Sequence, residues 1–289
     1  MKRVVVAIPA SYDQNEALEV QSTIEYLKYL QKARVETVMT TAGTSHFNLL
    51  SLKEIHLFNK TVVENFEGQK IIGIPALSTT QAVEFVSVAN SYIDENTNLM
   101  ALYPERFYDE SEIMNYMSNI RLKTNNKIYI HGKTIRNATG GVWDYNSSVL
   151  NQLYNDDVLL GIKEEHSNLY KSYDFISNLN PSLDVIVAGG SMRRFEFLES
   201  AGANSFLSGV GNLFPHIEKE YLNGSKNKSL ELEKKFFDVF MKYGWHKSLR
   251  IGLDLMGLTC YNDRSPWPKR EPMEYDEIRK IIEVLKNEE

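Results

Sequence analysis

The chain contains almost no cysteine, and its histidines are not clustered. Cys260 is the only cysteine among 289 residues, so an intrachain disulfide and a zinc cage built from cysteines are both excluded. The six histidines are scattered along the sequence, with no His-x-His or His-Glu-x-x-His pair. The sequence therefore predicts no metal site of the zinc or iron type.

The chain also lacks an excess of basic charge and any long apolar run. Its formal net charge is -6, so no nucleic-acid partner is expected, because phosphate contacts require a basic face. The short runs Arg193-Arg194 and Lys226-Asn227-Lys228 are interpreted as solvated surface. The apolar stretch Val4–Ile8 is too short for a secretory signal or a membrane span, so we expect no membrane partner and a cytoplasmic location.

No glycine-rich nucleotide fingerprint follows the first apolar run, which argues against an open doubly wound sheet. Short apolar runs instead alternate with amphipathic stretches, as in repeated βα units around a parallel sheet. Strands are predicted at Val4–Ile8, Val35–Thr40, Lys70–Ile74, Asn98–Ala101, Lys127–His131, Val158–Lys163, Asp184–Ala188 and Ser205–Ser208. Helices are predicted at Glu16–Leu30, Leu52–Asn65, Thr80–Ser91, Ser111–Arg121, Ser148–Leu153, Leu169–Ser177, Arg193–Ser200 and about Leu213–Tyr221. This order predicts an α/β fold, a (β/α)8 TIM barrel.

The pattern changes after Asn223-Gly224. Three further helices are predicted with no strands between them, at Ser229–Lys242, His246–Leu258 and Met273–Lys286. We therefore expect residues 1–223 to form the barrel and residues 224–289 a C-terminal helical extension packed on it, within one structural unit.

Lys163 ends the apolar run Val158-Leu159-Leu160-Gly161-Ile162, which has the character of a buried parallel strand. Lysine is rarely buried, and low dielectric favours its neutral form. A neutral amine at the carboxyl end of a strand can attack a ketone and form an imine. The alternative interpretation is an ordinary charge that marks the exit of the strand into solvent.

In a barrel of this kind the active site lies at the carboxyl ends of the strands. The residues predicted there are Gly43-Thr44-Ser45, Tyr103, His131, Lys163, Gly189-Gly190-Ser191 and Ser208-Gly209-Val210-Gly211-Asn212. One lysine, one histidine, small hydroxyls and glycine turns suit carbonyl chemistry better than metal-dependent hydrolysis. The glycines also fit a simpler role as turn residues, and His131 one as a structural histidine.

The motifs in this order resemble the dihydrodipicolinate synthase and N-acetylneuraminate lyase family of Schiff-base aldolases, over nearly the whole chain. Leu160-Gly161-Ile162-Lys163-Glu164 is similar to the family's segment that carries the imine lysine. Ala42-Gly43-Thr44-Ser45 resembles its Gly-Thr-Thr-Gly-Glu loop, and the stretch from Ser208 to Pro215 also looks familial. So does Gly252-Leu253-Asp254-Leu255-Met256-Gly257-Leu258, followed by Arg264-Ser265-Pro266.

The resemblance implies roles for individual residues. Lys163 would form the imine with pyruvate or a related 2-oxo acid, and Thr44 and Ser45 would bind the carboxylate, with Thr44 also in the proton relay. Arg136, five residues after His131, would bind a carboxylate of the second substrate, because a guanidinium pairs with a carboxylate in bidentate fashion. Gly189 and Leu207, near the ends of the last two predicted strands, complete the predicted substrate-binding set.

The chain departs from the family where proton transfer and substrate choice are decided. His131 stands where the family has a relay tyrosine, and imidazole can also transfer protons near neutral pH. The second relay tyrosine aligns near Glu105, with Tyr103 as a possible substitute, and His46-Phe47 replaces the glycine and glutamate after the hydroxyl pair. Ser191-Met192 stands where sialic acid lyases offer an acidic pair.

These observations predict a lyase or aldolase that acts on a 2-oxo acid, most like dihydrodipicolinate synthase, with a carboxylate-bearing aldehyde as second substrate. Cleavage of N-acetylneuraminate or a 2-keto-3-deoxy sugar acid is the alternative, and a non-catalytic keto-acid or amino-acid binding relative is the alternative from another class. No organic cofactor is expected, because the lysine itself carries the imine. By resemblance, a homo-oligomer, dimer or tetramer, is also expected.

Overall fold

The computed structural model of the chain describes residues 2–106, 108–132, 135–136, 142–259 and 262–288, and the side chains of 135, 136, 142 and 143 lie outside the description. The strands are β1 (Arg3–Ala7), β2 (Thr37–Met39), β3 (Gln69–Ile74), β4 (Thr97–Ala101), β5 (Ile128–Gly132), β6 (Ile135–Arg136), β7 (Val142–Trp143), β8 (Gly161–Glu164), β9 (Asp184–Val187) and β10 (Ser205–Leu207). The α-helices are α1 (Val20–Lys32), α2 (Leu52–Asn65), α3 (Thr79–Ala89), α4 (Glu110–Arg121), α5 (Ser147–Asn155), α6 (Leu169–Ser177), α7 (Ser191–Leu198), α8 (Pro215–Leu222), α9 (Lys226–Phe240), α10 (Trp245–Leu255) and α11 (Pro272–Lys286).

Eight of the strands form a closed barrel in the order β1-β10-β9-β8-β5-β4-β3-β2, and helices separate them along the chain. The pairs in the barrel are parallel, as between β3 and β4 and between β5 and β8. The predicted TIM barrel is thus confirmed. The antiparallel pair of β6 and β7 was not predicted, because strands of two residues are too short to show an alternating pattern of apolar and polar residues.

The chain folds into two compact units, each built from two separate stretches of sequence. Unit 1 consists of Met1–Val5 and Gln69–Leu207, and unit 2 consists of Val6–Gly68 and Ser208–Glu289. Fully buried apolar side chains such as Ile72, Ile130 and Ile162 form the core of unit 1, and Tyr26, Phe236 and Phe240 belong to the core of unit 2. The predicted boundary at residue 223 stays a prediction.

The first helix begins four residues later than predicted, at Val20 instead of Glu16. The carboxylate of Asp13 accepts hydrogen bonds from the backbone N–H groups of Asn15 and Ala17, and Glu16 adopts a left-handed φ of 62°. Glu19 then caps the helix, because its carboxylate accepts from the N–H groups of Gln21 and Ser22. Local side-chain bonds therefore outweigh the helical pattern of residues 16–19.

The sixth barrel strand, β8, begins at Gly161 and not at Val158 as predicted. The backbone N–H groups of Val158 and Leu159 both donate to the carbonyl of Leu153, so these apolar residues close the end of α5. At its carboxyl end the strand runs one residue beyond the predicted end at Lys163, to Glu164.

In unit 2 the C-terminal segment is bonded to the residues of the first two βα units. Arg250 in α10 donates to the carbonyl of Ala10, and Arg264 donates to the carbonyl of Leu49 and to Glu54.

Within the described residues, no helix combines the length and the apolar character that a membrane span requires.

Candidate active site

Strands β5 and β8 place an amine and an imidazole side by side in unit 1. Their register pairs His131 with Lys163, and side chains opposite each other on parallel strands share a face. The Lys163 Nζ lies 3.0 Å from the His131 Nε2. Both side chains are buried, with 3% of Lys163 and 5% of His131 exposed, so the predicted pair of Lys163 and His131 is brought together.

A third group completes this cluster. Glu165 leaves the end of β8, and its Oε2 accepts a hydrogen bond from the Lys163 Nζ at 2.6 Å. The same oxygen lies 3.3 Å from the His131 Nε2. The side chain of Glu165 is 41% exposed, so the amine, the imidazole and a solvent-accessible carboxylate meet at one point.

The next residue, Glu164, faces away from Lys163 towards the helices, because consecutive residues of a strand point to opposite sides. Its carboxylate is fully buried and accepts from the hydroxyl of Ser172 (2.9 Å) and from the Nη2 of Arg194 (3.0 Å). The backbone N–H of His166 also donates to it, at 2.7 Å. The interpretation of Arg194 as solvated surface is therefore wrong, since only 9% of its side chain is exposed.

The buried carboxylate remains ionised because of these donors. Burial alone would raise the pKa of Glu164, but the hydrogen bonds from His166 and Arg194 outweigh it and lower the pKa below its usual value. Burial of His166 lowers its pKa, but two carboxylates outweigh this effect, so that the net pKa is raised. Glu164 lies 2.6 Å from the Nδ1 of His166, and Asp144 lies 3.1 Å from its Nε2. This charged cluster fixes the backbone that carries Lys163 and Glu165.

Two of the remaining predicted residues of unit 1, Gly189 and Leu207, lie at the carboxyl ends of the next two barrel strands. Gly189 follows β9 with a φ of 76°, which glycine adopts without strain. Leu207 ends β10 in register with Val5 and is half-buried. Arg136 lies in β6, but its side chain lies outside the described residues, so its predicted contact stays a prediction.

The possible second relay residue, Tyr103, lies just after β4. Its ring packs edge to face against Tyr116, with 5.3 Å between the ring centroids. Burial raises the pKa of Tyr103, and its role in proton transfer stays a prediction.

Unit 2 contains the predicted hydroxyl pair, in the loop after β2. Thr44 is buried, and Ser45 is fully buried. The Ser45 hydroxyl donates to the carbonyl of Ile8 (2.6 Å) and accepts from the N–H of Thr41 (3.0 Å). The Ser45 hydroxyl therefore holds the loop in place, and the contacts of Thr44 and Ser45 with a substrate carboxylate stay predictions.

His46 follows this pair in the left-handed conformation, with a φ of 54°. Its ring lies against Trp267 (4.4 Å between centroids) and stacks with Tyr12 (6.3 Å). Burial, with Arg250 and His246 nearby, lowers the pKa of His46 to about 3. His46 is therefore uncharged near neutral pH and packs as an aromatic side chain. His166 differs, because its pKa is raised.

The sequence matches a known protein family over nearly its whole length. It matches the Dihydrodipicolinate synthetase family over residues 1–285. The chain belongs to this family. It is also 23% identical, over 276 residues and 90% of each sequence, to the 4-hydroxy-tetrahydrodipicolinate synthase of Karelsulcia muelleri.

Two solved structures show the same fold. The N-acetylneuraminate lyase of Fusobacterium nucleatum superposes with a TM-score of 0.84 at 17% identity, over 98% of both chains. A prophage protein of the dihydrodipicolinic acid synthase family from E. coli K12, solved in complex with pyruvate, gives 0.83 at 13% identity over 99% of both chains. As a member of the Dihydrodipicolinate synthetase family, the chain is an aldolase or lyase.

Sequence reasoning identified Lys163 and His131 but missed Glu165 and the cluster around Glu164. The position of Glu165 directly after the strand that carries the lysine was a usable signal, because side chains that follow a barrel strand line the same end. Arg194 gave no such signal, because the residues that it contacts, Glu164 and Ser172, lie in other elements, 30 and 22 residues away along the chain. Among the residues that the structure describes, no group of three or more His, Cys, Asp or Glu side chains is arranged to hold a metal ion.

Proposed function

We propose that the protein joins or cleaves a pyruvate unit, or a related 2-oxo acid, through an imine on Lys163. The observation that carries the proposal is the buried Nζ of Lys163 at the carboxyl end of β8, 3.0 Å from the Nε2 of His131. A desolvated amine next to groups that can accept a proton is the arrangement that imine formation requires. No organic cofactor is needed in this scheme, because the protonated imine itself withdraws electrons from the neighbouring carbon.

The family supports the same chemistry. A relative from E. coli K12 is described in complex with pyruvate, and the relative from Karelsulcia muelleri is a 4-hydroxy-tetrahydrodipicolinate synthase. We therefore propose a condensation of pyruvate with a carboxylate-bearing aldehyde as the first candidate reaction. Arg136 is the residue proposed to bind the carboxylate of that aldehyde, since its position after His131 resembles that of the family's arginine.

Cleavage of a sugar-derived 2-oxo acid is the second candidate. It is favoured by the fold similarity to the N-acetylneuraminate lyase of Fusobacterium nucleatum, whose TM-score of 0.84 is as high as the 0.83 of the E. coli K12 relative. The residues after β9 favour it less, because Ser191 and Met192 offer no carboxylate to sugar hydroxyls.

Initial rates with a panel of substrates distinguish these candidates. The panel contains pyruvate with aldehydes that do or do not carry a carboxylate, and N-acetylneuraminate as a cleavage substrate. We expect turnover with a carboxylate-bearing aldehyde, and an Arg136→Gln variant with a raised KM for that aldehyde but an unchanged KM for a neutral one.

The control is Lys163→Ala, which should abolish turnover of every substrate in the panel. Release of pyruvate from N-acetylneuraminate, without condensation of any aldehyde, would favour the second candidate. Turnover by Lys163→Ala at the rate of the unsubstituted protein would contradict the proposed function itself.

A further inference from the structure

Glu165 is in direct contact with the reacting nitrogen, although the sequence did not single it out. Its Oε2 lies 2.6 Å from the Lys163 Nζ and 3.3 Å from the His131 Nε2, and these two nitrogens are 3.0 Å apart. We propose that Glu165 is a catalytic residue, which together with His131 carries the proton transfers at the Lys163 nitrogen. This inference rests on the proposed function, because it assigns a step in forming that imine.

The exposure of the three groups supports different roles for them. Lys163 and His131 are almost completely buried, at 3% and 5% exposed, whereas the Glu165 side chain is 41% exposed. Of the three, Glu165 therefore exchanges protons with solvent most readily, and it can relay them between water and the buried amine. Glu164 cannot do this, because its carboxylate is fully buried and held by Arg194 and His166.

The proton balance of imine formation defines what the pair has to do. The ammonium of Lys163 first gives one proton to Glu165 or His131, which leaves a neutral amine. The amine nitrogen attacks the keto carbon of the 2-oxo acid, so that the nitrogen–carbon bond forms and the carbonyl oxygen takes up a proton. The nitrogen then loses its second proton, the carbon–oxygen bond breaks with protonation of that oxygen, and water leaves. Both protons lost by the nitrogen depart in the water, and the positive charge ends on the protonated imine.

Glu165 also stabilises the protonated form of His131. When His131 accepts a proton it becomes an imidazolium in a buried site, where an isolated charge is unfavourable. The carboxylate oxygen 3.3 Å from its Nε2 stabilises this charge by direct electrostatic attraction. The two residues therefore act as a coupled acid–base pair beside one nitrogen.

A simple ion pair between Glu165 and Lys163 makes the opposite prediction. If Glu165 only paired with the ammonium and transferred no proton, its removal would leave imine formation equally fast or faster, because the ammonium is the form of the amine that cannot attack a ketone. If Glu165 transfers protons, its removal slows imine formation. The sign of the effect thus distinguishes the two roles.

The test measures the rate of imine formation directly. The protein is mixed with pyruvate, the imine is reduced with borohydride after increasing times, and the adduct is quantified by intact mass. We expect Glu165→Gln to slow adduct formation about 10²-fold, as for loss of a general acid–base group, with the same final amount of adduct. Glu165→Asp should retain part of the rate, and added formate should accelerate a Glu165→Ala protein, because the position is open to solvent.

Glu231→Gln is the matched control, since Glu231 is an exposed glutamate in α9 that pairs with Lys235, and its rate should not change. Thermal unfolding curves establish that each variant is folded. Adduct formation by Glu165→Gln at or above the original rate would overturn the catalytic role of Glu165 and leave the proposed function intact. Failure of the unsubstituted protein to form an adduct with pyruvate or other 2-oxo acids would overturn the proposed function, and this inference with it.

Discussion

Lys163 and Glu164 are neighbours on one short strand, yet they lie in opposite environments. The Lys163 amine contacts only groups that can exchange a proton with it, namely His131 and Glu165, in the contacts that the structure describes. The Glu164 carboxylate is enclosed by Arg194, His166 and Ser172 and stays ionised. The alternation of side chains along β8 thus places the amine that is proposed to form the imine and the structurally bonded carboxylate on opposite faces of the strand.

His131 is the residue whose substitution tests the proton transfer most simply. We expect His131→Phe to lower kcat about 10²-fold or more, because the ring keeps its volume but loses the nitrogen beside the Lys163 amine. The imine should still be trapped by borohydride after long incubation, since the amine remains. His131→Tyr should recover part of the rate, because a tyrosine at this position can transfer the same protons. Unchanged initial rates for His131→Phe would show that this imidazole plays no part in turnover.

At the level of elements, the carboxyl end of β8 is fixed by side chains from two helices. Ser172 in α6 and Arg194 in α7 both bond to Glu164, and Arg194 also donates to the carbonyl of His166 at 2.7 Å. These bonds join the strand end to the segment that carries Glu165. The geometry at the amine therefore depends on residues that do not contact it.

Removal of Arg194 should destabilise the fold strongly. Arg194→Met leaves the fully buried carboxylate of Glu164 without its guanidinium, and breaking a buried ion pair in this way costs about 3–5 kcal/mol. The measurement is the free energy of unfolding in urea. Arg193→Met is the matched control, because Arg193 is an exposed arginine on the same helix. Its free energy of unfolding should decrease much less than that of Arg194→Met. Equal losses for the two variants would contradict a structural role for the Arg194–Glu164 pair.

The barrel strands were predictable because each is a short apolar run between amphipathic segments, and most bounds agree within one or two residues. The place of Lys163 near the carboxyl end of a buried strand was predictable as well, because a charged residue that directly follows an apolar run is unusual. The start of α1 was not, because the side-chain bonds of Asp13 and Glu19 decide it. The burial of Arg194 was not predictable either, since its partner Glu164 lies 30 residues away and only the fold brings them together.

At the level of the whole molecule, the two ends of the barrel strands in unit 1 carry different kinds of residue. Lys163 and His131, which are proposed to form the imine and to transfer its protons, lie near the carboxyl ends of β8 and β5. At the amino ends of β1, β5 and β9, Arg3, Tyr129 and Asp184 form a hydrogen-bonded cluster in which Arg3 pairs with Asp184. Burial and Asp184 raise the pKa of Tyr129, so its hydroxyl remains a donor to that carboxylate. In a TIM barrel this end serves stability and the opposite end serves catalysis.

This division predicts that damage to the amino-terminal cluster changes stability without changing the chemistry. Asp184→Asn should lower the free energy of unfolding by about 1.5–3 kcal/mol, the range for hydrogen bonds to charged groups. The rate at which the folded variant forms a pyruvate imine should be unchanged. Asp157→Asn, at an exposed aspartate that pairs with Lys127 and Arg121, is the control and should lose much less stability. A slower imine rate in folded Asp184→Asn would contradict the separation of the two ends.

The most direct measurement is to locate the covalent bond itself. The protein is incubated with pyruvate and borohydride, digested, and sequenced by tandem mass spectrometry, with Lys163→Ala treated in parallel. We predict one pyruvate-derived adduct on the peptide that contains Leu160-Gly161-Ile162-Lys163, assigned to the Lys163 side chain, and none in the variant. An adduct on another lysine, or an adduct of equal yield in Lys163→Ala, would contradict the assignment of the imine to Lys163.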